Sequence, residues 1–179
     1  AFVAVIQNLI YEYAQRDKTI LAGTGGSSLL RADPHVLTIR IESSMEDRIN
    51  RVQGEQVINE NTAKWIIEKI DADMSKSMYI LYGKHWDDPK EFDRVFNSST
   101  EDHQQIIDEI KKRLVAKDAL KNEEALNILN LRALTAKAKA AILTDPNFTV
   151  SFLDVTPVEE GMPKYGLRVH GFVHEMDDI

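Results

Sequence analysis

The chain has 179 residues, 43% apolar and 28% charged, with a formal net charge of −7 and no cysteine. Its length suits one medium domain or a domain with a small appendage, and its composition is ordinary for a soluble globular protein. Lack of cysteine excludes disulfides, thiolate catalysis and cysteine zinc sites, the acidic balance disfavours non-specific nucleic-acid binding, and no apolar run approaches the roughly 20 residues that span a bilayer.

Residues 2–16 read as a helix, with Phe2, Ile6, Leu9, Ile10 and Tyr13 on one face at three- and four-residue spacing. Thr19, Ile20, Leu21 and Ala22 form a short apolar run, expected as a first strand, and Gly23-Thr24-Gly25-Gly26-Ser27-Ser28 follows at once. Residues 36–41 are rich in β-branched residues and read as a second strand. Two strands around a helical crossover imply a parallel sheet, whose carboxyl edge is where open α/β sheets bind ligands. Glycines there let a backbone approach a phosphate, or simply let the chain turn. Neither G-x-x-x-x-G-K-[ST] nor G-x-G-x-x-G occurs.

Residues 27–31 suit a short helix ended by Asp33-Pro34. Ser43 and Glu46 have the spacing of a capping box, opening a helix that carries Arg48 and Arg51 on one face. For arginines on a helix, a solvated charged face is the simpler reading. Residues 59–81 carry the longest helical pattern, capped by Asn59 or Asn61, with Trp65, Ile66, Ile70, Met74 and Met78 at core spacing. His85-Trp86-Asp87-Asp88-Pro89 combines two carboxylates with a histidine, which suits a metal. Asp88-Pro89 equally reads as an N-cap with proline at the first helical position, and Trp86 as a local core anchor; this structural reading is preferred. Residues 92–96 read as a strand, and Ser99 to Asp102 as the cap of a helix running to about residue 115.

Residues 117–124 are rich in Lys, Glu and Ala and read as a helical linker. A helix around residues 131–142, a strand over 148–155, a turn at 160–163 and a strand over 165–174 follow. His170 and His174 are expected in cross-strand packing rather than at a metal. The expected organisation is α/β: a parallel sheet flanked by helices over residues 1–116, a linker over 117–130 and a small α+β unit over 131–179. The chain opens on Ala1 and closes on Met176-Asp177-Asp178-Ile179, which resembles a helix's first turn, so a piece of a longer protein is expected. A cytoplasmic location is expected from the lack of cysteine and of any leader pattern.

The glycine loop with Leu30-Arg31, the strand over 36–41, Glu46 to Val52, and above all Gly83-Lys84-His85-Trp86-Asp87-Asp88-Pro89 resemble the bacterial cytidylate kinase-like family over residues 1–115. That resemblance implies a nucleoside monophosphate kinase-like, P-loop kinase-like sheet, with ATP and a pyrimidine monophosphate as ligands. ATP and Mg are thus implied cofactors, which no motif in the chain supports. The family's phosphate loop would precede the first residue here, so the kinase-like fold is expected to be incomplete. Thr24 stands where the family usually has arginine, and the turns around residues 71–78 keep Lys76 as their only cation. Phosphoryl transfer depends on cationic charge around the transferring group. The resemblance carries Arg31, Arg48 and Arg51 over as nucleotide contacts, beside Gly23, Thr24, Gly25, Gly26 and Lys76; it assigns no catalytic residue and no metal ligand.

Residues 131–179 are similar to BON-type modules, which implies partner or membrane-surface binding. Three functions follow as expectations: a degenerate kinase-like module that senses a nucleotide; a fragment of an active pyrimidine monophosphate kinase; or a structural protein whose C-terminal hairpin pairs in a homodimer.

Overall fold

The computed structural model describes residues 1–23, 25–147, 149–158 and 166–174. Helix α1 (Phe2–Ala14) forms as its apolar spacing requires. Asp17 and Lys18 then adopt φ of 58° and 50°, left-handed conformations that end the helical path. The strand expected at residues 19–22 is not formed, and Ile20 is 93% exposed. The run is bounded by left-handed turns, with Gly23 at φ 130°, and pairs with no strand among the described residues. Four apolar residues cannot be told from coil by periodicity, because only a neighbouring strand satisfies their backbone groups.

The chain divides into two units, Gly23–Lys121 and a discontinuous one made of Ala1–Ala22 with Asn122–Ile179. In the first lie α2 (Gly26–Leu30), β1 (Ile39–Glu42), α3 (Met45–Glu55), α4 (Glu60–Tyr82), a single 3-10 turn (Pro89–Glu91), β2 (Arg94–Asn97) and α5 (His103–Asp118). Strand β1 pairs in parallel with β2, Ile39 opposite Arg94 and Glu42 opposite Asn97. The parallel pairing matches the sequence reading, but the partner is β2, reached through α3 and α4, and the described sheet has two strands. Ile49 of α3 packs on Ala63 and Ile67 of α4, with Val52 and Ile58 alongside. Phe96 of β2 is fully buried.

Caps set most of the boundaries. Asn59 accepts from the Thr62 N–H, Asp88 from Lys90 and Asp102 from Gln105. For α3 the cap is Ser44, one residue later than the expected Ser43, and it accepts from the Asp47 N–H. The Ser44 N–H donates to Ser99 Oγ at 2.7 Å, which fixes where the chain enters the helix.

The helical linker expected at residues 117–130 is interrupted. Helix α5 ends at Asp118, residues 119–120 turn, and Asn122 caps α6 (Glu123–Thr144) by accepting from the Ala125 N–H. An asparagine that satisfies the first turn of a new helix competes with continuation of the old one. Helix α1, expected in the kinase-like part, packs instead with α6. Ala125, Leu129, Ala133, Ala136 and Ala140 line the buried face of α6, and Gln15 donates to Asn130 at 2.8 Å. Strands β3 (Thr149–Pro157) and β4 (Leu167–His174) form an antiparallel pair with an irregularity between Val150 and Phe152, and β3 packs on α6 through buried Val155. The turn expected at 160–163, the helix start expected at 176–179 and Phe148 lie outside the described residues. Among the described residues no helix is long and apolar enough to cross a membrane.

Candidate functional site

Gly25 adopts φ 93°, and a Cβ there would lie 2.8 Å from Tyr82 Oη. Only glycine lets the backbone lie this close to the end of α4 in a left-handed conformation. Burial pushes the Tyr82 phenol's pKa up. Beside this turn, Ser27 and Ser28 open α2. Together with Arg40 of β1, Met78 of α4, and His85 and Trp86 of the loop after α4, these residues help enclose a cavity of about 300 Å³. That volume lies at the lower end of the range for small-ligand clefts.

Arg40 lines the cavity with a guanidinium that is held on several sides. Its side chain is 16% exposed, and Nε donates to Glu42 Oε1 at 2.8 Å. Nη1 donates to the Trp86 backbone oxygen at 2.6 Å. The guanidinium lies 4.3 Å from the Trp86 ring centroid and 5.9 Å from that of Phe92. Glu91, which also lines the cavity, accepts from Lys84 Nζ at 2.8 Å. The His85 ring packs against Tyr79, centroids 5.4 Å apart and the planes tilted by 38°.

Of the residues expected from sequence, Gly23 and Gly25 line this cavity, while Gly26, the first residue of α2, is not among the lining residues. Thr24 lies outside the described residues. Arg31, Arg48, Arg51 and Lys76 are not among the lining residues. Arg48 makes a bidentate pair with Asp71, both bonds 2.7 Å, which ties α3 to α4. The Asp71 hydrogen bond raises the Arg48 pKa further. Arg31 donates to Asp93 Oδ1 at 2.9 Å. Arg51 and Lys76 are exposed, with no ion pair among the described residues. The cations expected around one phosphate are therefore dispersed, two of them neutralised by carboxylates.

Asp93 joins several elements. Its Oδ1 also meets Lys117 Nζ at 3.1 Å, and its Oδ2 accepts from the Thr38 N–H at 2.8 Å and from Thr38 Oγ1 at 3.0 Å. Burial works to raise its pKa, but the Thr38 backbone bond, Lys117 and the Thr38 hydroxyl outweigh it and lower the value. Asp88 is occupied as a cap, and among the described residues no group of three or more His, Asp or Glu side chains is placed to hold a metal.

Sequence reasoning missed Arg40 and gave Trp86 only a core role. One signal was available. An arginine between Ile39 and Ile41 in a β-branched strand must find partners near its apolar surroundings, and an aromatic ring with free carbonyls is such a partner.

A model of the cytidylate kinase-like family matches residues 2–100. No curated protein matches the chain. The crystal structure of an uncharacterized protein from Eubacterium ventriosum is similar, with a TM-score of 0.56 at 20% identity, over 63% of this chain and 65% of that one. At that identity the likeness concerns fold alone, and this chain spans less than two thirds of its counterpart's length.

Proposed function

The chain belongs to the cytidylate kinase-like family, and on that footing we propose that the cavity between Gly25, Arg40 and Trp86 binds a nucleotide, a pyrimidine monophosphate by preference. The observation that carries this reading is Arg40. A fixed guanidinium faces a concave site that also presents two serines and a glycine turn, and such a fork suits phosphate oxygens.

The proposed role is nucleotide sensing without phosphoryl transfer. Transfer needs several cations aimed at the moving group, whereas Arg31 and Arg48 are held by Asp93 and Asp71. The residues present do not make a magnesium site either. Mg²⁺ binds through one or two carboxylates, and the lining carboxylate Glu91 is committed to Lys84. A second reading, transfer from ATP to a pyrimidine monophosphate, draws on family membership.

Thermal melting with CMP, UMP, ADP or ATP tests the proposal. A ligand at one hundred times its Kd adds about 2.7 kcal/mol, or about 5–11 °C at roughly 2–4 °C per kcal/mol. CMP or UMP is expected to give this shift, and Arg40→Ala to abolish most of it. Arg48→Ala should lower the melting temperature of the free protein yet leave the nucleotide response intact. No shift with any nucleotide removes the site.

A further inference from the structure

The geometry points to Trp86 as the positioning residue of Arg40. The assignment builds on the nucleotide reading of the cavity but is measurable without any ligand. An arginine has several rotatable bonds, and a flexible one loses side-chain entropy when it captures an anion. Here that ordering is already done. The Trp86 indole lies under the guanidinium at 4.3 Å, and the same residue's backbone oxygen holds Nη1 at 2.6 Å. Glu42 takes Nε at 2.8 Å. Three sides of the guanidinium are thus fixed, two of them by one residue, while Nη2 has no hydrogen-bond partner among the described residues and keeps its N–H donors for an oxyanion.

The two contributions of Trp86 separate chemically. Its carbonyl contact belongs to the backbone and survives any substitution, whereas the π face belongs to the side chain. Trp86 is only partly buried, so replacement by leucine keeps an apolar side chain there and removes the ring. Trp86→Phe keeps a ring.

The test uses the ¹⁵N-labelled full chain. Relaxation of the Arg40 Nε–H group, assigned by its loss in Arg40→Lys, reports guanidinium order in the free protein. Titration with CMP, and separately with inorganic phosphate, reports binding. Expected is an ordered Arg40 Nε in wild type and Trp86→Phe and a mobile one in Trp86→Leu. The dissociation constant of CMP should weaken roughly three- to thirtyfold in Trp86→Leu, the range of a cation–π contact, and stay within about threefold in Trp86→Phe. Trp65→Leu, on the exposed face of α4, should change neither quantity. An Arg40 Nε equally ordered in Trp86→Leu overturns the assignment, as does a mobile Arg40 with unchanged CMP affinity. If order follows the ring as expected but neither probe binds wild type, the positioning role stands and the nucleotide reading falls.

Discussion

Gly25 and Asp93 show how single residues hold the site together. With φ at 93° and Tyr82 Oη 2.8 Å from the position of a Cβ, Gly25→Ala meets backbone strain and a steric contact at once. Strain of this kind amounts to about 1–3 kcal/mol, so the melting temperature should fall by about 2–12 °C. Adding Tyr82→Phe should recover only part, because the left-handed conformation remains. Asp93 acts through charge. Its pKa is lowered in the folded state, so its contribution is complete above the ordinary value of 3.8 and is lost as pH falls through the lower folded value. Asp93→Asn should therefore destabilise at pH 7, by about 1–3 kcal/mol as partners go unsatisfied. It should also flatten the loss of stability that wild type shows below about pH 4. Equal acid sensitivity in both proteins, measured by urea unfolding, would remove Asp93 from that account.

At the scale of elements, the break at residues 119–122 decides where one unit ends. Asn122 accepts from the Ala125 N–H at 2.8 Å, so Asn122→Ala should lower stability by about 1 kcal/mol, the usual worth of an N-cap. Were this stretch a continuous helix, alanine would be neutral or stabilising, because it is the better helix former. Circular dichroism melting of the two proteins separates these outcomes. In the hairpin, a Cβ on Gly171 would lie 2.6 Å from the Phe152 carbonyl oxygen. That contact is to backbone, so the strand itself must shift. Gly171→Ala should loosen β3 against β4, read as faster amide exchange there while α3 and α4 stay protected.

For the whole molecule, the family match over residues 2–100 runs across the boundary between the two units at Ala22 and Gly23. Helix α1 belongs by sequence to the kinase-like family and by packing to the unit built on α6. Deleting residues 1–22 should therefore expose the alanine face of α6 and destabilise the C-terminal unit, leaving the core of Ile49, Ala63 and Ile67 folded. Hydrogen exchange of α6 and α4 in the truncated chain checks this. Protection lost in α4 but kept in α6 would contradict the division.

Local signals carried a definite part of this description. Helical spacing placed α1, α3, α4 and α5, the cap of α4 was narrowed to Asn59 or Asn61, Asp88 read as a cap, and the loop from Gly83 to Pro89 pointed to the family, because each of these rests on residues a few positions apart. What depends on distant partners was decided only by tertiary structure. Residues 19–22 had the composition of a strand but no neighbour to pair with among the described residues, and β1 found β2 more than 50 residues further on. The resemblance offered Arg31 and Arg48 as nucleotide contacts, and only the fold shows that Asp93 and Asp71 are their carboxylate partners. Arg40 looked like an ordinary strand residue until Trp86 was found beneath it. Hydrophobic periodicity and capping are local and legible in one dimension. The partner of a charge is chosen by the fold, since burial makes the nearest opposite charge or ring, however far along the chain, the one that matters.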